Sequence, residues 1–254
     1  ISWMLSAEHS MNNCDSDKII GKISSIETMG LVDGPGVRTV IFMQGCPLRC
    51  KYCHNPETWD PLRQGYEYTP EELAACILRY KNYMKHGGVT FSGGEPLLQA
   101  EFLSLTSEIL KKNEIHICLD TSGAVTESPE DLPGILSLIK QTDLVILDLK
   151  AVDPAQYKEI TGKRMEPFLA FLELLQHKNK KLWLRTVIVP GINNEPSQIA
   201  AIQKFANRIK NVEKIEFLPY HKMGVQKYQK LGISYPLEGT PELTEDEIQY
   251  PKGL

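Results

Sequence analysis

The chain has 254 residues, 42% hydrophobic and 24% charged, with 28 Lys and Arg against 32 Asp and Glu. This size and balance are typical of one globular α/β domain. The net charge of −4 gives no electrostatic reason to expect nucleic acid or an anionic membrane as a partner. No apolar run approaches the roughly 20 residues of a membrane span. Six cysteines are too few for a disulfide scaffold, which favours a reduced, cytoplasmic setting.

The N-terminal stretch ISWMLSAEHSMNNCDSDK lacks the apolar core and the cleavage site of a secretory signal. Because the chain begins with Ile1, Met11 is a candidate natural start. We therefore expect residues 1–19 to be an extension and residues 20–254 to form a single domain.

Six β-rich runs alternate with helical patterns. The strands are predicted at 39–45, 88–94, 115–123, 143–150, 181–191 and 212–221. The helices are predicted at 69–85, 100–113, 130–140, 167–178 and 196–210, the first with an N-cap at Thr69 and Pro70 in its first turn. Strands that are nearly continuous in Val, Ile and Leu are typical of a parallel sheet covered by helices. The alternation predicts an α/β sheet, either doubly wound or a partial barrel.

Polar residues lie at or near the end of each predicted strand, where parallel α/β folds collect their sites. They are Cys46, Ser92 to Glu95, Asp120 to Ser122, Asp148 with Lys150, Arg185 and His221. Six strands that lead to one rim favour an arc of barrel over a single crevice. Polar residues often simply begin loops, but Asp148 and Lys150 lie in the apolar run DLVILDLKAV, where unpaired charges would be costly.

Three cysteines follow the first predicted strand in QGCPLRCKYCHNPETWD: Cys46, Cys50 and Cys53. A zinc site could recruit His54, although adjacent residues rarely share one tetrahedron and structural zinc sites usually have two separated ligand pairs. Cys50 and Cys53 also have the C-x-x-C spacing of a redox dithiol. An electron-transfer 4Fe–4S cluster would use four thiolates. Three thiolates would leave one iron open to another ligand.

This C-x3-C-x-aromatic-C spacing resembles the signature of the radical SAM superfamily, in which S-adenosylmethionine chelates the open iron. Ser92-Gly93-Gly94-Glu95-Pro96, after the second strand, is similar to the GGE motif of that superfamily. The resemblance implies a partial (β/α)6 TIM-like barrel, open on one side. Within this superfamily, the sequence is most similar to glycyl radical enzyme activases of the pyruvate formate-lyase type. The segments that carry this resemblance are VDGPGVRTVIFMQGCPLRCKYCHNPETWD, GGVTFSGGEPLLQAEF, HICLDTSG, DLVILDLK, LWLRTVIVPG and IEFLPYHKMG.

Two comparisons within the superfamily refine this expectation. Many activases of other glycyl radical enzymes carry a ferredoxin-like insert with additional cysteines, whereas only one Cys lies between Cys53 and Ser92 here. Relatives also continue into a full C-terminal helix, whereas LTEDEIQYPKGL is short and contains the helix-breaking Pro251. We therefore expect the pyruvate formate-lyase type with a truncated final helix.

The resemblance implies reductive cleavage of S-adenosylmethionine at a 4Fe–4S cluster. The 5′-deoxyadenosyl radical that results would abstract a hydrogen from a glycine of pyruvate formate-lyase and so activate it for anaerobic metabolism. The electron would come from a flavodoxin-like or ferredoxin-like donor, and the chain would be a cytoplasmic monomer. The alternatives are a radical SAM enzyme that acts on another glycyl radical enzyme or a small molecule, and a non-enzymatic zinc or iron–sulfur module.

The resemblance also assigns residues to the site, carried over by motif. The cluster ligands would be Cys46, Cys50 and Cys53. S-adenosylmethionine would be contacted by Tyr52, His54, Ser92, Gly93, Gly94, Glu95, Asp148, Lys150, Arg185 and His221, with Lys150, Arg185 and His221 as catalytic residues. A monovalent cation would bind Asp120, Thr121 and Asp148, and the glycine loop of the protein substrate would meet Asp33, Gly34, Pro35 and Gly36. The alternatives from the residues themselves are an ion pair of Lys150 with Asp148 or Asp120, and a plain turn at Asp33 to Gly36.

Overall fold

The computed structural model describes residues 19–84 and 86–248. That part contains the strands β1 (Gly21–Gly30), β2 (Arg38–Met43), β3 (Tyr66–Tyr68), β4 (Gly88–Gly93), β5 (Ile117–Thr121), β6 (Leu144–Asp148), β7 (Leu182–Ile188) and β8 (Val212–Pro219). Its α-helices are α1 (Pro70–Leu78), α2 (Ala100–Lys112), α3 (Pro133–Gln141), α4 (Pro154–Thr161), α5 (Glu166–His177), α6 (Pro196–Ala206) and α7 (Val225–Leu231). The predicted extension, except for Ile19, and the predicted break at Pro251 lie outside the described residues.

The strands form one sheet in the order β3-β1-β2-β4-β5-β6-β7-β8. The strands β2, β4, β5, β6, β7 and β8 are parallel neighbours in this order, as expected for successive β/α units. β1 pairs antiparallel with both β2 and β3. Within the described residues β8 pairs only with β7, so the sheet is an open arc and the predicted partial barrel is confirmed.

Alternation along the strands separates an outer and an inner face. Leu119, Val145 and Leu147 belong to the large core beneath the helices. Cys118 and Ile146, the alternate residues, form a separate apolar cluster with Leu144 and Trp183. Because successive side chains of a strand point to opposite faces, residues two positions further along each strand continue the inner face towards its carboxyl end.

All six predicted strands and all five predicted helices are present; most are shorter than predicted, and α5 has the predicted length but begins one residue earlier. Thr69 caps α1 in a capping box with Glu72, and Pro70 occupies its first turn. β1 and β3 were missed because β1 is half exposed along most of its length and lacks an apolar run, and β3 has only three residues. α4 and α7 were missed because they are short. None of the described helices is long and apolar enough to cross a membrane.

Candidate active site

The cysteine loop, residues 44–60, follows the carboxyl end of β2 and is held by backbone hydrogen bonds. The Gly45 amide donates to the Thr58 carbonyl at 2.7 Å, and the Cys46 amide donates to the Trp59 carbonyl at 3.3 Å. At its base, the side-chain amide of Gln44 donates to the carbonyls of Glu57 and Asp60 at 2.9 and 2.7 Å. These bonds close the loop on itself and hold its three cysteines at the rim of the barrel.

Cys46, Cys50 and Cys53 are free thiols that pack with Leu48 and Ala124 in a small cluster of their own. Burial raises the pKa of all three thiols, and the nearby carboxylate of Glu95 raises that of Cys46 further. A thiol binds metal as a thiolate, so a cationic centre beside these sulfurs would offset the desolvation penalty. The donor set is soft and confined to one loop, which suits iron or zinc.

No three His, Cys, Asp or Glu side chains among residues 19–84 and 86–248 converge on a position for one metal ion. A single zinc needs its sulfurs about 2.3 Å from the same point. A four-iron cluster presents a different iron to each thiolate and requires no such convergence. Ligation of such a cluster by Cys46, Cys50 and Cys53 stays a prediction from the sequence.

The predicted Gly93–Gly94 motif lies where β4 approaches the cysteine loop. Gly93 has a φ of +103°, and a Cβ there would lie 2.3 Å from the Met43 nitrogen. A Cβ on Gly94 would lie 2.1 Å from the carbonyl oxygen of Gly45. Only glycine fits this approach, so the motif sets how closely the cysteine loop packs against the end of β4.

Glu95, at the end of the same motif, is fully buried. One carboxylate oxygen accepts from the Thr121 hydroxyl at 2.5 Å and the Leu97 amide at 3.1 Å. The other accepts from the amide and hydroxyl of Ser122 at 2.9 and 2.5 Å. Because a carboxylate has about four lone-pair sites, these four donors occupy its acceptors. Glu95 thus ties β4 to β5, and its predicted contact with S-adenosylmethionine would require the ligand to share one of these acceptors.

A charged ring of Asp120, Asp148, Lys150, Arg185 and Glu216 lines the carboxyl end of the inner face. Asp148 lies opposite Arg185 in the β6–β7 pairing, and Arg185 lies opposite Glu216 in the β7–β8 pairing. The Lys150 ammonium contacts Asp148 at 2.6 Å, which is one of the ion pairs anticipated from the sequence. Asp120 accepts from the Ser92 hydroxyl at 2.8 Å and lies 3.6 Å from Arg185. The predicted residues of four strands therefore meet in one place.

Arg185 is the most heavily engaged member of the charged ring. Its Nε and Nη2 both lie 3.0 Å from Glu216 Oε2. Burial alone would lower the pKa of Arg185, but Asp120, Asp148 and Glu216 raise it above its ordinary value, so the guanidinium stays charged. Burial also raises the pKa of Asp120 to about 6. With three carboxylates and two cations, the ring has a surplus of acidic groups.

The loop that contains Asp33, Gly34, Pro35 and Gly36 enters the inner face from the opposite edge, ahead of β2. The Val32 carbonyl accepts from Arg185 Nη2 at 2.7 Å, and the Asp33 carbonyl accepts from the Thr90 hydroxyl at 2.6 Å. Burial raises the pKa of Asp33, whereas Arg185 and Arg38 lower it. The loop therefore reaches under the charged ring and is more than a surface turn.

The fully buried Arg38 holds this loop from below and was given no role from the sequence. Its guanidinium donates to the carbonyl of Pro35 at 2.9 Å and to the hydroxyl of Thr90 at 2.6 Å. The signal available in the sequence was its position at the end of the VDGPGVR motif.

His54 and His221 are brought together although 167 positions separate them. Their ring centroids are 4.1 Å apart, and His54 Nε2 lies 3.2 Å from the His221 carbonyl. Burial and the neighbouring His221 lower the pKa of His54. Within the described part of the chain, His221 Nδ1 is buried without a hydrogen-bond partner, which is unusual for a buried polar atom.

Tyr52 is only 4% exposed and belongs to the main core. The Lys150 ammonium lies 5.7 Å from the centre of its ring. The Tyr52 ring thus forms a cation–π contact with Lys150. Contact of Tyr52 with adenine stays a prediction.

Comparison with known proteins identifies the family of the chain. The radical SAM superfamily model matches residues 40–201, which include the cysteine loop and most of the charged ring. The chain belongs to the radical SAM superfamily. It is 46% identical over 231 residues to the pyruvate formate-lyase-activating enzyme of Clostridium pasteurianum, covering 90% of this chain and 94% of the relative. The Staphylococcus epidermidis enzyme of that name is 45% identical, covering 89% and 91% of the two chains.

Solved structures agree with this fold. Streptococcus suis SuiB, bound to its precursor peptide SuiA, superposes with a TM-score of 0.60 at 16% identity, covering 77% of this chain and 40% of SuiB. A radical SAM methyltransferase from Sphaerobacter thermophilus superposes with a TM-score of 0.52 at 14% identity, covering 80% and 65%. At such identities the likeness concerns the radical SAM fold alone.

Glu216 is the residue of the charged ring to which the sequence assigned no role, and its signal was a carboxylate within the strand IEFLPY. We expect Glu216→Ala to raise the Kd for S-adenosylmethionine about tenfold, because the Arg185 guanidinium loses its anchor. Calorimetry on the cluster-loaded protein measures this. Lys214→Ala is the control, since Lys214 also contacts Glu216, at 2.7 Å, but is half exposed. An unchanged Kd in the Glu216 variant would contradict the role.

Proposed function

We propose that this radical SAM enzyme cleaves S-adenosylmethionine and uses the resulting 5′-deoxyadenosyl radical to take a hydrogen atom from a glycine of pyruvate formate-lyase. The observation that carries the proposal is the convergence of the free-thiol cysteine loop and the charged ring at one rim. Identities of 45–46% to pyruvate formate-lyase-activating enzymes over about 90% of the chain support the choice of substrate.

Cys46, Cys50 and Cys53 would hold the 4Fe–4S cluster, and the cluster supplies the electron for cleavage of the sulfonium bond when it is bound. The protein contributes orientation and exclusion of water. Lys150 and Arg185 offer positive charge for the methionine carboxylate, and both are held by carboxylates that limit their motion. The electron donor, the monomeric state and the cytoplasmic location stay predictions.

His221 would face the ribose or sulfonium side, and two observations support this role: its Nδ1 has no hydrogen-bond partner, and its ring lies 4.1 Å from the ring of His54. His54 would in turn line the adenine, where an aromatic plane suits a purine. Ser92 keeps the Asp120 carboxylate in place by donating to it, and Gly93 and Gly94 let the cysteine loop approach this region.

Anaerobic mixing of the reconstituted enzyme with S-adenosylmethionine, a reductant and pyruvate formate-lyase tests the function. We expect a glycyl radical doublet in the electron paramagnetic resonance spectrum, lost when the substrate glycine is replaced by alanine. Consumption of a free metabolite without a protein radical would support the small-molecule alternative instead.

Asp33 would meet the glycine loop of the protein substrate. It lies next to Val32, whose carbonyl contacts Arg185, so it is within reach of the charged ring. We expect Asp33→Ala to keep uncoupled cleavage of S-adenosylmethionine while lowering the radical yield on pyruvate formate-lyase. The amount of 5′-deoxyadenosine measures cleavage of S-adenosylmethionine, and the spin concentration measures the radical yield on pyruvate formate-lyase. Equal loss of both would place Asp33 in cofactor binding.

A monovalent cation between Asp120, Thr121 and Asp148 would offset the surplus of carboxylates in the charged ring. The Thr121 hydroxyl donates to Glu95 and accepts from the Gly123 amide at 2.9 Å, which leaves one lone pair of its oxygen for another partner. We expect the double variant Asp120→Asn with Asp148→Asn to bind S-adenosylmethionine more weakly without losing iron. Normal binding, together with activity that is insensitive to potassium and sodium, would exclude this cation site.

A further inference from the structure

Two N–H groups of the cysteine loop donate hydrogen bonds to the sulfur of Cys53. The Asn55 amide lies 3.4 Å from this sulfur, and the indole N–H of Trp59 also donates to it. Burial raises the pKa of the Cys53 thiol, whereas these two hydrogen bonds lower it, because they favour the thiolate over the thiol. The Asn55 donor belongs to the backbone, so the indole is the donor that a substitution can remove.

The backbone of the same loop fixes the position of Trp59. A short 3-10 helix, Pro56–Thr58, ends at Trp59, whose amide donates to the Pro56 carbonyl at 3.2 Å. The Trp59 carbonyl accepts from the Cys46 amide at 3.3 Å. Trp59 therefore contacts the first predicted ligand through its backbone and the last predicted ligand through its side chain.

The helix α7 packs against this half of the cysteine loop. The ring of the fully buried Tyr228 meets the ring of Trp59 edge-on, with centroids 5.7 Å apart and planes at 88°. The Lys227 ammonium donates to the side-chain oxygen of Asn55 at 2.7 Å and to the carboxylate of Glu57 at 2.5 Å. α7 thus holds both residues whose N–H groups reach the sulfur.

An aromatic side chain at the end of a loop has a simpler explanation, which is packing. The ring of Trp59 is half-buried, and the Arg49 guanidinium lies 5.0 Å from its centre. These contacts and the contact with Tyr228 need an aromatic ring, and phenylalanine would supply one. Packing alone does not require that an N–H group of the ring donate to the Cys53 sulfur.

A donor to a cysteine sulfur affects the redox behaviour of an iron–sulfur centre. The reduction potential of such a centre depends on the hydrogen bonds to its sulfurs and on its exposure to solvent. Reduction adds one negative charge, part of which resides on the thiolate sulfurs. An N–H donor therefore stabilises the reduced form more than the oxidised form, because hydrogen bonds strengthen with the charge of the acceptor.

We propose that Trp59 is a positioning residue that favours the reduced state of the centre held by the cysteine loop, by donating its indole N–H to the sulfur of Cys53. α7 holds the indole in that position. This inference rests on the proposed function, and it gives a role to a side chain to which the sequence assigned none.

The test removes the N–H group and retains an aromatic ring. Trp59→Phe does this, because phenylalanine still packs against Tyr228 but has no donor. Trp183→Phe is the matched control, since Trp183 packs with Cys118 and Ile146 in a separate cluster of the inner face. All proteins are loaded anaerobically with iron and sulfide and matched for iron content.

Redox titration followed by electron paramagnetic resonance measures the midpoint potential. In Trp59→Phe we expect the ratio of reduced to oxidised protein at a fixed potential to fall about tenfold, which is a downward shift of about 59 mV for one electron. Water admitted beside the smaller ring would stabilise the added charge and shift the midpoint upwards, so the direction separates the two effects. Trp183→Phe should match the parent protein.

Electron–nuclear double resonance after exchange into D2O detects the hydrogen bond itself. A deuteron that is hydrogen-bonded to a thiolate sulfur couples to the unpaired spin of the reduced centre. We expect the parent and Trp183→Phe to show one coupled exchangeable deuteron that Trp59→Phe lacks. A side chain that only packs would leave this signal unchanged.

Lys227→Met tests the contribution of α7 without a change in the indole. We expect a smaller downward shift of the midpoint, because Asn55 and Glu57 lose their contact with the helix. Lys230→Met is its control, since Lys230 is exposed in the last turn of α7 and its replacement removes the same charge.

The proposal is wrong if the midpoint of Trp59→Phe equals that of the parent or rises, or if the two proteins show the same coupled deuterons. If Trp59→Phe retains no iron, equal midpoints of Lys227→Met and Lys230→Met would overturn the proposal. Failure of the proposed function looks different. It would appear as a parent protein that takes up no four-iron cluster, or whose reduced cluster cleaves no S-adenosylmethionine.

Discussion

Replacement of Cys46, Cys50 or Cys53 by alanine is expected to remove the brown 4Fe–4S chromophore and abolish cleavage of S-adenosylmethionine. The three thiols share one loop, and none of the other described cysteines lies in that loop to replace a lost ligand. Two thiolates cannot hold the cubane. Visible absorption, iron content and release of 5′-deoxyadenosine after anaerobic reconstitution measure the effect.

Cys118→Ala provides the matched control, because Cys118 is fully buried on the inner face but packs with Ile146 and Trp183, away from the cysteine loop. We expect this variant to keep its iron and lose only about 1 kcal/mol of unfolding free energy, through the small cavity that it creates. Loss of the chromophore in this variant would refute the assignment of the three ligands.

Glu95→Ala is expected to lower the unfolding free energy by about 3 kcal/mol or more, in addition to impairing S-adenosylmethionine binding. The change leaves the four donors from Leu97, Thr121 and Ser122 without their acceptor, and each buried unsatisfied group costs about 1–3 kcal/mol. Chemical denaturation of the cluster-free protein separates this effect from loss of the cofactor.

Glu95→Gln should lie between the alanine variant and the parent, because its amide keeps one acceptor oxygen but turns a donor towards the other two donors. Glu108→Ala, an exposed change on α2, should stay within about 0.5 kcal/mol of the parent. If the alanine variant of Glu95 unfolds like the parent and loses only affinity for S-adenosylmethionine, the carboxylate serves the ligand and not the fold.

The convergence of Asp120, Asp148, Lys150 and Arg185 could be predicted from the sequence, because the carboxyl ends of parallel strands meet at one edge. The ion-pair partner of each of these side chains could not be predicted from the sequence. Arg185 pairs most closely with Glu216, a residue without a predicted role, because the stagger between β7 and β8 places the two opposite each other. Sequence patterns specify which strands exist, but not this stagger.

The sequence by itself determined the family, the six parallel strands and the cysteine loop, because residue spacing and apolar runs are local properties of the chain. Only the tertiary structure decided that the Asp33 loop reaches Arg185, that His54 stacks against His221, and that Glu95 accepts four hydrogen bonds. It also decided that Lys51 and Glu159, 108 positions apart, share one surface. Such contacts depend on how the open sheet curves and brings distant loops together, which no local pattern encodes.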